Sequence, residues 1–247
     1  MLLNELDTIV NLYYSECNYY NNIQCNVIEL TKLFKKKSLT KFNQKDIEKY
    51  FNHLKHKGNS NSTINSKLVF LNKGLQYYNN ILKIPFQKVR NKEKQIITET
   101  QFNYLLDAYK DNKDMYNFLM IAYYTGLRAN EILGIRIQHI SYENDTYYLN
   151  LYDTKNHKDN YIPLSNKLNT IVSTFEEFNI DYKQVYYLLK KQGITAHQFR
   201  HTFITRCYEK GLDSFSIMKL TNQTSLSVHQ RYNHITNKRL KDLIQVL

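Results

Sequence analysis

Residues 123–140 read YYTGLRANEILGIRIQHI, and this stretch decides the fold class. The residues before it, 115–124, have helical character, and Thr125-Gly126 stops them. Glycine punctuates helices in this way because it accepts backbone angles that other residues resist. A second helix is expected over 128–135. Arg128 stands just after the break, so its guanidinium is presented at a helix start.

Working outward, TYYLNLY (146–152) alternates as a strand does, with Tyr147, Leu149 and Leu151 on one face. The tip DTKNHKDN follows, and YIPL (161–164) is the returning strand. From Lys183 onward the pattern is helical again. Upstream, T-E-T-Q from Thr98 fits a capping box, opening a helix whose stripe is Phe102, Leu105, Leu106 and Tyr109. The segment PFQKVRNKEKQ (85–95) is polar, basic and aperiodic, which sets a linker at 87–96. Before it the chain reads as a small helical bundle. Leu2, Leu3, Leu6, Ile9, Val10 and Tyr13 repeat at helical spacing. Asn43 can cap a helix with Ile47, Tyr50, Phe51 and Leu54 on its face. A further helix runs from about Thr63 to Leu82. The expected fold is mainly α with a small β-hairpin or sheet (α+β), in two domains, 1–86 and 97–247. The last segment, NKRLKDLIQVL (237–247), is a short amphipathic helix.

Composition agrees. Six glycines and two prolines in 247 residues favour helices. The formal net charge is +12, which suggests a polyanionic partner, nucleic acid or a membrane surface. Residues 1–95 hold 16 Lys/Arg against 7 Asp/Glu, a net of +9, which leaves +3 for the remainder. No apolar run approaches the roughly 20 residues that span a bilayer, and the N-terminus does not read as a signal peptide. Cys17, Cys25 and Cys207 show no metal-ligand spacing and read as reduced thiols, so a cytoplasmic protein is expected, nucleoid-associated if bacterial. The 22 tyrosines follow an Asn/Lys/Ile/Tyr bias and carry no weight as a group.

Three segments carry chemistry jointly: 123–140; the hairpin tip 153–164; and AHQFRHTFITRCYEKG (196–211) with IMKLTNQTSLSVHQRYNHI (217–235). A phosphate under attack gains negative charge on its non-bridging oxygens, and arginine is its natural clamp. Arg128 and Arg200, from different segments, could hold one phosphate. His197 is three residues from Arg200 on a helix face and can donate a hydrogen bond or move a proton. Lys155, on the hairpin tip, can protonate a leaving oxygen. Tyr232 offers a phenol able to attack phosphorus and hold it covalently. His229 and His234 flank Tyr232 without any carboxylate or cysteine at metal spacing, and there is no P-loop or zincin motif. Lys35-Lys36-Lys37, Lys67 and Arg90 are candidate DNA contacts that position without reading sequence.

The ordered set TGLR-x-x-E-I-L-G-I, T-K in a hairpin, H-x-x-R-H-T-F-x-T and a tyrosine within S-L-S-V-H-Q-R-Y-N-H resembles the tyrosine recombinase (phage integrase) family over about 96–235. The N-terminal bundle more loosely resembles that family's core-binding domain. The resemblance implies a C-shaped clamp around double-stranded DNA and a site-specific recombinase that cuts and rejoins strands through a 3′-phosphotyrosyl link, without metal, ATP or cofactor. It makes Arg128 and Arg200 the two family arginines, His197 the first residue of H-x-x-R, Lys155 the hairpin lysine, Glu131 the supporting acidic position and Tyr232 the nucleophile. It also suggests that 237–247 docks into a neighbouring protomer of a tetramer on two DNA sites. One position departs: Gln223 stands nine residues before Tyr232 where the family has His or Trp, after Asn222 in place of Gly. Glutamine can donate to a phosphate oxygen but cannot carry charge. A type IB topoisomerase-like relaxing enzyme and a DNA-binding regulator with an impaired site are the competing expectations.

Overall fold

The computed structural model describes residues 2–14, 20–35, 37–89, 95–151, 160–223 and 226. The expected strand-to-strand tip, Lys36, Arg90, Tyr232 and the helix expected over 237–247 lie outside the described residues. The chain divides into two compact units, Met1–Lys92 and Glu93–Leu247.

The first unit is helical. Helix α1 (Leu2–Tyr14) buries Leu2, Leu6, Ile9 and Val10, while Leu3 and Tyr13, expected on the same stripe, face solvent. Helix α2 (Tyr20–Phe34) was not legible as a separate element. Its buried residues, Ile23, Val27, Leu30 and Phe34, keep helical spacing, but asparagines of low helix propensity interrupt them. Helix α3 (Gln44–His56) starts where Asn43 caps it, in a capping box with Asp46. Helix α4 (Asn61–Tyr77) ends earlier than expected, because the chain turns left-handed at Asn79 (φ 54°). Leu82 still packs on the core.

One buried carboxylate ties three of these helices. Glu29 on α2 accepts from Lys57 at 2.5 Å, from Lys67 on α4 at 2.5 Å, and lies 3.1 Å from His53 Nε2 on α3. Burial pushes its carboxyl up, but the hydrogen bonds from Lys57, Lys67 and His53 outweigh that and hold it at about 2.

The second unit holds its own core. Helix α5 (Glu99–Ala108) opens on the Thr98/Gln101 capping box. Helix α6 (Lys113–Thr125) carries Phe118, Leu119 and Ala122 through the centre and stops at Gly126. Helix α7 (Ala129–Leu133) follows. The sheet has three antiparallel strands, not two: β1 (Ile140–Glu143), β2 (Thr146–Leu151) and β3 (Asn160–Pro163) in the order β1-β2-β3. The β1–β2 turn is Asn144-Asp145, both at positive φ (48° and 59°). That conformation closes two-residue hairpins, but without the usual glycine it gave no clear turn signal. Leu149 pairs with Ile140 and Ile162, and Leu149, Leu151 and Ile162 face the core. Helices α8 (Asn169–Val172), α9 (Tyr182–Lys191), α10 (Ala196–Glu209) and α11 (Ser214–Leu220) follow among the described residues.

Gly126 sits in the left-handed region at φ 64°, and a Cβ there would lie 2.6 Å from the Phe203 ring. Gly126→Ala should therefore cost about 2–4 kcal/mol, combining backbone strain with overpacking, read as a lowered urea midpoint. The Glu29 cluster gives a pH signature. A carboxyl held below its ordinary value stabilises fully above about 4.5 and loses that contribution as pH falls toward about 2. Glu29→Gln should cost about 2–3 kcal/mol at neutral pH. It should also flatten the loss of melting temperature between those pH values.

Candidate active site

The site begins at the break after α6. Gly126 caps that helix with a left-handed residue, and the chain re-enters a helix three residues later, at Ala129. Arg128 stands at the N-cap of α7 in an extended conformation. Glu131, three residues on, folds back against it. Its Oε2 accepts the Arg128 backbone N–H at 2.7 Å, and its Oε1 accepts Arg128 Nη1 at 2.7 Å. A carboxylate at a helix start also meets the positive end of the helix dipole.

Arg200 comes from the middle of α10 and is nearly sequestered, with 2% of its side chain exposed. Its Nη1 donates to the Gly126 carbonyl at 3.0 Å and lies 4.0 Å from Glu131 Oε2. The sequences TGLR and HQFR therefore meet at one carboxylate, although 72 residues separate the arginines. Arg128 remains 47% exposed, so one guanidinium is embedded and the other is open to solvent.

His197 lies one helical turn before Arg200, exposed, with its ring edge-on to His201 at 4.5 Å. His201 is buried, as suits a residue supporting α10. Gln223 follows α11, half-buried, and its Oε1 accepts from Thr221 Oγ1 at 3.2 Å. Asn222, just before it, reaches both Arg128 and Glu131. Its carbonyl accepts Arg128 Nη1 at 3.1 Å, and its Nδ2 lies 3.4 Å from Glu131 Oε1. Sequence reasoning noted Asn222 only as a departure and assigned it no contact. It likewise read Gly126 as punctuation, and here the Gly126 carbonyl orients Arg200. The structure thus brings Arg128, Glu131, Arg200 and the end of α11 together. Lys155 and Tyr232 lie outside the described residues.

The candidate DNA-contacting cations differ in their surroundings. Lys35, at the end of α2, is exposed. Lys37 pairs with Asp46 at 2.6 Å and Lys67 with Glu29 at 2.5 Å, so both charges are matched within the first unit. Cys25 and Cys207 are free thiols, and burial pushes the Cys207 thiol up to about 11. Among the described residues no helix is long and apolar enough to cross a membrane.

The sequence profile of the phage integrase family matches residues 95–185 and 176–239, more than half of the chain. The chain belongs to the phage integrase family. Relatives that it matches are named tyrosine recombinases. It is similar to tyrosine recombinase XerA of Saccharolobus solfataricus, 26% identical over 194 residues, 73% of this chain and 66% of that protein. The chain therefore spans just under two thirds of that relative. It is also 26% identical over 231 residues to tyrosine recombinase XerA of Pyrococcus furiosus, covering 81% of this chain and 79% of that one. Among solved structures, the Tn1549 transposon integrase in complex with transposon right end DNA shares the fold. The TM-score is 0.74 at 16% identity, over 98% of this chain and 99% of that one.

Glu131 separates two like charges. Glu131→Gln keeps an acceptor for Arg128 but removes the negative charge that faces both guanidiniums. The variant should lose about 1 kcal/mol at low ionic strength, a modest figure because Arg128 is partly solvated. The deficit should narrow in 1 M salt, where repulsion is screened. Paired urea titrations at the two salt concentrations read it.

Proposed function

We propose that this chain is a site-specific recombinase of double-stranded DNA, with Arg128 and Arg200 as the clamp for the scissile phosphate. The observation that carries the reading is the convergence of those two guanidiniums on Glu131. Arginines drawn from separate elements to one spot suit a phosphodiester, which is larger than a carboxylate and gains negative charge as it is attacked.

In this reading Tyr232 attacks phosphorus through its phenolic oxygen as the phenolic proton passes to His197 acting as base. The bond from phosphorus to the 5′-bridging oxygen breaks, a 3′-phosphotyrosyl bond forms, and the 5′-oxygen leaves as a hydroxyl after taking a proton from Lys155. Arg128 and Arg200 stabilise the charge that develops on the non-bridging oxygens, as donors fixed before reaction. His197 hydrogen-bonds the phosphate or assists proton transfer, and Gln223 donates to a non-bridging oxygen. In the return step a 5′-hydroxyl from a partner strand attacks the phosphotyrosyl bond and releases the tyrosine. The covalent bond conserves the phosphodiester energy between the two steps.

The domain roles follow the same reading. Residues 1–86 serve as the core-binding domain, 87–96 as the linker, and 97–247 as the catalytic domain. Both domains contact DNA, and 237–247 links protomers of a tetramer on two sites. Lys35, Lys36 and Arg90 contact phosphates. Lys37 and Lys67 contribute less, since their charges are internally paired.

The test uses a duplex selected by this protein from a random pool, nicked beside the cleavage position so that rejoining fails. Wild-type protein should accumulate as a covalent adduct that survives denaturing electrophoresis. Tyr232→Phe should bind the duplex with a Kd within about twofold and form no adduct. A persisting adduct would reassign the nucleophile. Relaxation of a supercoiled plasmid without exchange between two sites would favour the topoisomerase-like reading.

A further inference from the structure

Asn222 stands in the turn just after α11, in the left-handed region at φ 51°, which asparagine tolerates better than other residues with a Cβ. It is 8% exposed. In this position it presents two groups to the same pair of residues. Its carbonyl accepts Arg128 Nη1 at 3.1 Å. Its side-chain Nδ2 lies 3.4 Å from Glu131 Oε1, the oxygen that also accepts Arg128 Nη1 at 2.7 Å. Arg128, Glu131 and Asn222 therefore form a closed ring of hydrogen bonds that spans α7 and the end of α11.

The turn bearing Asn222 is fixed in its own right. The Thr221 hydroxyl donates to the Ile217 carbonyl at 2.7 Å, and the Gln223 N–H to the Met218 carbonyl at 2.9 Å. From the sheet, Asn160 at the start of β3 donates to the Lys219 carbonyl at 2.7 Å. Asn222 thus offers a stationary acceptor. Arg128 needs one, because its side chain is 47% exposed and packing does not lock it. A long, solvated arginine left to itself samples many rotamers, and each departure forfeits preorganisation.

We propose that Asn222 is a positioning residue for Arg128. Its carbonyl and amide hold the guanidinium and its Glu131 counter-charge in the orientation that receives the phosphate. This inference rests on the recombinase reading. A side-chain amide suits the place because it can donate to Glu131. An aspartate would set a second carboxylate beside Oε1, repel Glu131 and draw the guanidinium away. A glycine would keep the left-handed turn and the carbonyl while deleting the amide.

The experiment compares wild type, Asn222→Asp and Asn222→Gly on the nicked duplex described above. It reads single-turnover adduct formation at saturating DNA, the Kd for the unreacted duplex, and the thermal midpoint. Asn222→Asp should form adduct at least tenfold more slowly, and Asn222→Gly about threefold more slowly. Both should keep Kd within twofold and melt within a few degrees of wild type. A rate within twofold of wild type for the aspartate, or a wild-type rate for the glycine, would overturn the proposal. So would a loss of rate matched by an equal loss of binding or melting in both variants, which marks a merely structural residue. Wild-type protein that binds the duplex but never forms adduct would sink the recombinase reading itself, and this inference with it.

Discussion

The site is organised by one electrostatic constraint: two permanent positive charges, Arg128 and Arg200, face a single carboxylate. That carboxylate is Glu131. Each of its oxygens serves Arg128, through the backbone N–H and through the guanidinium, and one also faces Arg200 at 4.0 Å. Without a resident anion the pair would be mutually repulsive and, for the nearly sequestered Arg200, expensive to desolvate. With it, the site is a prepared cradle. The carboxylate holds the arginines in register and still leaves Arg128 open to solvent.

The fold around Glu131 follows from supplying those groups at fixed places. The glycine break ends α6, starts α7 at the arginine and frees a carbonyl for Arg200 in the same few residues. Helix α10 supplies Arg200, and the turn after α11 supplies the carbonyl of Asn222. The packing of Phe203 against Gly126 fastens α10 to the same turn. Small side chains and backbone carbonyls do the orienting here, where rigidity matters more than charge.

Much of this was legible in the sequence, because the informative residues carry chemistry of their own. TGLR-x-x-E announced a helix break, an arginine and its acid, and H-x-x-R announced the second arginine. What the sequence did not disclose were relations that depend on three-dimensional closure. Asn222 bears no catalytic signature, and its importance comes from a positive φ that aims its carbonyl. Strand β1 was missed because Asn144-Asp145 turns without a glycine. Helix α2 was missed because its apolar spacing is diluted by asparagine. Lys37 and Lys67 looked like surface cations because their partners, Asp46 and Glu29, are 9 and 38 residues away. Pairing at such separations leaves no local pattern to read.

The lysines of the first unit bear on how that unit meets a polyanion. A residue already bonded to a carboxylate displaces few condensed cations when a nucleic acid approaches, since its field is largely cancelled. Lys37 faces Asp46, and Lys57 and Lys67 share the single charge of Glu29, so two carboxylates offset two of these three cations. The entropy gained by expelling condensed ions thus scales with the unmatched cations, not with formal charge. The dependence of complex formation on ionic strength is accordingly shallower than the Lys and Arg content of the unit suggests.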